Sequence, residues 1–551
     1  MIKKIIKVLL TILLILIIAV IYLSIFGVKT EKFNNQITKN ILKTNKKINI
    51  NLKEVSYLLN LNNFTIIVKT ENPKISLESR SLEIKNIKTN ISLKSLINDQ
   101  FLVNDLQIIT KEIELSNIIA IIRTFKNSPE LLVLDTIIKG GLITANINLN
   151  FDKRGKIKKN YKIKGFVKKA KFNLLNKYKL QNLNFDYDID KNSYSLKKID
   201  TKFNDIKIIS PFIEIENKKD SIFVNGLVSS GKKIFEMDEF KPIFSNLLNN
   251  IDIRKIEFSS KNNFSFNLNK KLKFNNLEVD TVIDLNQLIL NEKNLKLKSY
   301  FPNFVNEIKL ENHKIVINYS KNKFDIKGSG NILLEDVLDN LSYQIIEDDN
   351  NLSFDSKINL KNNSLSIDFL DYKKEKNRSS LVSIKGKIKK NNKIRFDSIS
   401  LKEKDNEILI KGLDLSENFK IIDIQNLNIN YKNNKKNLIK INLYKKDSNF
   451  ILEGESFDAT RIIAKIIDAD KISSSIFHNL NSKIKIKIKK TYIDDVNYIN
   501  NLNGNINFNN NKIDVLKLES TFPNEKKINL SIKTNSLSET ITKLSTSYPK
   551  P

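Results

Sequence analysis

Apolar and polar residues alternate along most of this chain after residue 30. The cleanest run is Lys483-Ile484-Lys485-Ile486-Lys487-Ile488-Lys489, with three isoleucines on one face and four lysines on the other. Ala145, Ile147, Leu149 and Phe151 alternate with Asn146, Asn148 and Asn150. The same period of two recurs at Phe264, Phe266 and Leu268; at Leu427, Ile429 and Tyr431; at Ile439, Ile441 and Leu443; at Leu502, Gly504, Ile506 and Phe508; and at Ile528, Leu530 and Ile532. A period of two places one face of a strand against apolar material and the other in water. The intervening segments, such as Lys432–Lys436 and Asn509–Lys512, are short and rich in Asn and Lys. Asn tolerates the left-handed backbone of tight turns. Together these features predict an antiparallel meander of about 25–30 strands at the usual spacing. The last of them is expected at Ile528–Ile532.

Helical spacing is confined to a few places. Ile118, Ile119, Ile121, Ile122 and Phe125 follow Ser116 and Asn117 as candidate caps, and Phe235–Leu248 and Leu333–Ile346 have helical character. Asp458 is placed to cap a helix carrying Ile462, Ile463, Ile466 and Ile467.

The N-terminus follows neither pattern. Val8 to Val28 carry no charge, and as a helix this run would span about 31 Å, close to the hydrocarbon thickness of a bilayer. Lys3, Lys4 and Lys7 precede it, which favours a cytoplasmic N-terminus. The run is longer than a signal-peptide core and lacks a small-x-small cleavage site. It is therefore expected to be a single-pass membrane anchor, marked by Val8, Leu14, Ile21 and Phe26, with the bulk of the chain on the far side of the membrane from the cytoplasm.

Composition narrows the chemistry. The 551 residues include 93 Lys plus Arg and 61 Asp plus Glu, a net charge of +32, with no Cys, no Trp and two His. Without Cys there is no disulfide framework and no thiolate chemistry. His313 and His478 stand far apart, and the acidic pairs Asp348-Asp349 and Asp494-Asp495 read as turns or caps. Ser230-Gly231-Lys232 lacks the upstream Gly of a phosphate-binding loop. No catalytic, cofactor-binding or metal residue is assigned, and no enzymatic activity is expected. Seven of the basic residues are Arg. Specific nucleic-acid readers favour Arg for bidentate contacts, so the Lys faces read as solvated surface and no nucleic-acid partner is expected.

The layout of one N-terminal span, an amphipathic stretch (Phe33, Ile37, Ile41) and unbroken short strands resembles the AsmA-like superfamily, which includes the TamB-like and YhdP-like proteins. Ile91–Ile97 followed by Phe101–Ile108 is similar to a phrase near the start of AsmA-like domains. Gly140–Ile143 leading to Phe151–Ile157 is similar to strand-turn-strand phrases of that group, and Phe457–Ile463 is similar to a phrase before a short helix in YhdP-like chains. The resemblance implies an inner-membrane-anchored periplasmic β-groove protein engaged in phospholipid movement between membranes and outer-membrane homeostasis.

The expected architecture is mainly β: the anchor and its tail over residues 1–30, an N-terminal β-rich region with short helices over 31–165, and a long curved antiparallel sheet, groove-like, over 166–551. Phospholipid acyl chains and the inner membrane are the expected partners, alongside an outer-membrane or periplasmic protein. Ile439, Ile441, Leu443, Ile484, Ile486 and Ile488 are the candidate lipid-facing residues. A sandwich core would use the same faces; the span, the lack of linkers and the resemblance favour the groove. The alternative function is a non-enzymatic scaffold for outer-membrane protein biogenesis, acting by strand addition at sheet edges.

Overall fold

The alternating segments are strands. The computed structural model describes residues 2–35, 37–39, 48–77, 80–94, 103–125, 129–152, 156–174, 178–236, 252–269, 271, 273–291, 297–335, 337–348, 351–388, 393–416, 420–460, 480–534 and 540–547. Among them are 34 strands, more than the sequence spacing predicts, because several are only two to four residues long. The chain divides into two compact units: Met1–Gly231 with Lys261–Glu278, and Lys232–Ser260 with Val279–Pro551.

In the first unit, helix α1 (Ile2–Ile25) is long and apolar enough to cross a membrane; its apolar side chains are largely exposed, apart from its last turns beside the strand Val55–Asn60. It ends at Gly27, whose φ of +66° suits a residue without Cβ. The strand Val28–Thr30 begins at the next residue and pairs antiparallel with Val55–Asn60. Val8, Leu14 and Ile21 lie on the exposed surface of α1, while Phe26 stands one residue past its end, its ring 5.3 Å from that of Tyr22.

From that edge the ladder passes antiparallel through Thr65–Glu71, Arg80–Ser92, Val103–Thr110 and Ile138–Asn150. It continues by hairpins through Lys162–Leu174, Tyr178–Ile189, Ser193–Phe203 and Ile206–Asn217 to Ser221 onward. Asn204 and Asp205 both take positive φ between two of these strands, the paired left-handed conformation of a two-residue hairpin. Asn510 and Asn511 do the same in the second unit, so Asn does stand in for the scarce Gly. Helices α2 (Leu115–Phe125) and α3 (Pro129–Ile137) form the connection before Ile138, and Arg123 pairs with Asp135 between them. Helix α2 starts at Leu115, so Ser116 and Asn117 sit in its first turn rather than capping it.

The second unit runs antiparallel from Glu307–Ser320 through Lys323–Leu333, Leu338–Asp348, Asn351–Leu360, Ser380–Ile388, Ile394–Glu403, Asn406–Leu415, Asn426–Lys432 and Leu438–Lys446 to Asn449–Asp458. Five expectations need correction or limit here. Leu333–Ile346 is not a helix. Its residues end one strand and form most of the next, where Leu341, Tyr343 and Ile345 alternate with Asn340, Ser342 and Gln344 and pair on both sides in unbroken register; this two-sided pairing overrides the apolar spacing.

The meander is also not wholly antiparallel. Asn449–Asp458 pairs parallel with Ser482–Tyr492. The connection 459–481 is long enough for the crossover that a parallel pair requires. The Asp458 side chain accepts the N–H of Thr460 at 3.0 Å; the expected helix beyond it falls in 461–479, outside the described residues, as does His478. Phe235 and Glu236 end a strand, and the rest of Phe235–Leu248 lies outside the described residues. Finally, Lys527–Thr534 is not the last strand: Thr540–Thr546 pairs beyond it and is exposed along its whole length.

Candidate functional site

Directly paired residues of neighbouring strands point to the same face, so the registers define ranks of side chains running across each sheet. In the first unit one rank is Ile87, Ile108, Ile147, Ile163, Ile189, Tyr194, Ile215 and Val224, one residue from each of eight strands. Of these only Val224 is fully buried; the others are half-buried. Their polar neighbours Asn146, Asn148 and Lys164 occupy the reverse face. Side chains in one layer shield one another laterally but keep their tips exposed, whereas a second layer buries them outright. Ile163 and Ile189 pack against a covered cluster, whereas Ile87, Ile108 and Ile147 lie outside it and, among the described residues, belong to no covered cluster. At about 4.8 Å per strand, seven intervals extend this face about 34 Å.

One patch of this sheet is covered. Leu115, the first residue of α2, packs on Val167, Ala170 and Tyr187. The Tyr187 ring crosses Gly165, and its hydroxyl donates to the Thr144 carbonyl at 2.7 Å. Burial pushes that phenol up to about 12.

The second unit has a corresponding rank with the opposite fate. Leu341, Ile358, Val382, Leu401, Ile408, Ile429 and Ile441 are consecutive across seven strands. Leu401, Ile408, Ile429 and Ile441 are buried in one cluster with Phe301, Phe304, Leu365 and Tyr372, none of which is on these strands, and Leu341, Ile358 and Val382 are half-buried against it. Phe301 and Phe304 follow the short helical turn Leu297–Ser299; Leu365 and Tyr372 belong to a separate hairpin, Leu365–Ile367 with Tyr372–Lys374. These two segments are a second layer laid over the rank. Exposure there falls to 2% at Ile429 and 1% at Leu360.

Polar contacts fix the covering hairpin at its base and its flank. Asp339 accepts the backbone N–H groups of Lys361, Asn362 and Asn363 and the Asn363 amide, at 2.7–3.1 Å. Lys374 is wholly buried and donates to the carbonyls of Lys361, at 3.0 Å, and Asn363. Burial pulls its ammonium below the usual lysine range, with Asp339 and Glu403 opposing. Tyr372 donates to Glu403 at 2.7 Å, and burial, aided by that carboxylate, raises its phenol. Tyr431, on the sheet, donates to the Leu370 carbonyl, and its ring meets that of Tyr372 edge-on at 5.3 Å. Ser366 N–H reaches the Tyr300 carbonyl at 2.9 Å, tying the two covering segments together.

The six candidate residues from the sequence divide accordingly. Ile439 and Ile441 lie in the covered cluster. Leu443 and Ile484 are half-buried beside a smaller cluster of Leu413, Ile424 and Phe450. Ile486 and Ile488 are buried at 6% and 2% exposure. Ile486 continues the rank Leu443, Leu452, Ile486, Gly504, Leu518, Leu530, Leu544, which ends on the exposed terminal strand. The open rank of the first unit was visible as alternation at Ala145–Phe151, but alternation alone does not distinguish an open face from a covered one.

Asp494 accepts the N–H groups of Val496 and Asn497 in a turn, and Asp495 pairs with Lys435. His313 is buried, its Nε2 2.9 Å from the Asn331 carbonyl, and burial lowers its pKa. Among the described residues no group of three or more His, Cys, Asp or Glu is placed to hold a metal ion. No family model matches the chain, and no curated protein or solved structure matches it.

Proposed function

We propose that this chain is a non-enzymatic, membrane-anchored carrier of phospholipid acyl chains, of the AsmA-like kind, with its N-terminus in the cytoplasm, α1 in the inner membrane and its sheets curved into a periplasmic groove that serves outer-membrane homeostasis. The observation that carries this reading is the half-buried stretch Ile87, Ile108 and Ile147, outside the covered cluster among the described residues, on a sheet whose first strand begins three residues after the last residue of a helix of membrane-spanning length. Apolar surface gains about 25 cal/mol per Å² when removed from water, and an acyl chain laid across such a rank removes surface on both partners. The process is passive: the face replaces the bilayer interior while headgroups stay in water.

A photoreactive amino acid at Ile147, and separately at Asn148, tests this in cells. Phospholipid attached at Ile147 and not at Asn148 is expected. Lipid at neither position in a folded chain would sink the carrier reading, and lipid at both would reduce it to nearness to a membrane.

A second reading is strand addition. Thr540–Thr546 pairs with Lys527–Thr534 along one edge and is exposed throughout, with Ile541 and Leu544 on its surface. Such an edge is a template for a further strand, as an assembly factor would use. A Pro at Lys543 that leaves lipid attachment intact but abolishes outer-membrane protein assembly would favour it.

A further inference from the structure

We infer that Leu297–Phe304 and Leu365–Lys374 form a built-in stopper, occupying with the chain's own side chains the stretch of the second unit's apolar face that acyl chains would otherwise take. The inference rests on the carrier reading above and adds where on the second unit lipid is denied a seat.

Three observations support it. The rank from Leu341 to Ile441 has the same construction as the open rank of the first unit: aliphatic residues in direct register, strand after strand. What covers it is supplied from outside the ladder, by an irregular segment before Glu307 and by an insertion between the strands Asn351–Leu360 and Ser380–Ile388. The covering side chains are two phenylalanines, a leucine and a tyrosine, apolar bodies of the kind that stand in for hydrocarbon.

The third observation is how the insertion is held. Apolar packing alone would leave it exchangeable with any other hydrocarbon. Here the base of the hairpin is pinned by groups that an acyl chain cannot supply: Asp339 on three backbone N–H groups, buried Lys374 on two carbonyls, and Tyr372 on Glu403. Withdrawing the hairpin would take the Tyr372 hydroxyl from the buried carboxylate of Glu403 and the backbone N–H groups of Lys361–Asn363 from buried Asp339, at the desolvation cost of buried polar groups that lose their donors. The stopper is therefore a fixture, and lipid does not displace it.

The test uses the full-length chain in vesicles of phosphatidylethanolamine and phosphatidylglycerol that include a phosphatidylglycerol with a diazirine on its acyl chain. After illumination, adducts are mapped to peptides by mass spectrometry, so no bulky probe enters the protein. Adducts are expected on Val103–Thr110 and Ile138–Asn150 and not on Ile394–Glu403, Asn406–Leu415 or Asn426–Lys432. Adducts on both sets would overturn the stopper and leave the carrier reading standing; adducts on neither would overturn both. In the double variant Phe304→Ala/Tyr372→Ala, labelling of the second set is expected to rise from background to the level of the first. A folded double variant with no such rise would also overturn the stopper. Should that variant fail to fold, judged by circular dichroism, the map of the unmodified chain decides.

Discussion

Replacing Ile429 and Ile147 by alanine, one at a time, separates a covered face from an open one. Ile429 is 2% exposed, flanked in register by Ile408 and Ile441 and roofed by the cluster of Phe301, Phe304, Leu365 and Tyr372. Truncation there leaves a cavity between two layers, and such changes cost about 2–5 kcal/mol. Ile147 sits between Ile108 and Ile163, is half-buried and, among the described residues, lies outside the covered cluster. Its truncation leaves no enclosed cavity, only the lost transfer of three carbons at about 0.8 kcal/mol each scaled down by its partial exposure, or about 2 kcal/mol in all. The two variants should therefore differ by about 1–2 kcal/mol. The units need not unfold together, so the readout must be local. Amide hydrogen exchange of the full chain in detergent, compared at Asn426–Lys432 for one variant and Ile138–Asn150 for the other, reports each site's opening free energy. Equal losses at the two sites would mean that Ile147 is roofed as well, and the open face would have to be abandoned.

Four further outcomes follow from the geometry. Gly165→Val should destabilise the first unit by several kcal/mol, because a Cβ there would lie 1.9 Å from the Thr144 carbonyl oxygen and 2.7 Å from the Tyr187 hydroxyl; thermal unfolding checks it. Gly27→Ala should cost about 1–2 kcal/mol for the left-handed backbone, with a Cβ also 2.6 Å from the Tyr57 carbonyl oxygen, and faster exchange confined to Val28–Thr30 and its partner strand is the expected signature. Lys374→Met should weaken the covering hairpin by leaving the carbonyls of Lys361 and Asn363 unpaired, seen as protease cleavage within 361–378 that the native chain resists. His313 is neutral and buried, with its pKa lowered by that burial; the unfolded chain therefore takes up a proton that the folded ring refuses, and stability falls as pH drops below about 6.5. His313→Gln should remove that part of the acid sensitivity, and an unchanged pH profile would rule it out.

Much of this fold is legible in the alternation. Lys483 to Lys489 form the strand they predict, lysines exposed and isoleucines inward, because a period of two admits one extended arrangement with a single apolar face. The parallel pairing of that strand with Asn449–Asp458 is not legible, since alternation says nothing about which neighbour a strand takes or in which direction. Leu333–Ile346 misleads because its leucines satisfy both periods, and the register with flanking strands decides between them. The site is legible only in part. Ile147 and Ile429 have equivalent local patterns, and what separates them is the destination of Phe301, Phe304 and Tyr372, which lie in short irregular segments without periodicity.

The junction at Gly27 makes α1 and the first sheet a single mechanical element. Because Val28 is hydrogen-bonded into the ladder directly after the turn, no slack stands between them. Tilting or rotating the helix, as a change in bilayer thickness would do, levers the edge of the sheet instead of being absorbed by a tether. The strand Val55–Asn60 would feel that torque first, and its amides are where strain on the helix would enter the rest of the sheet.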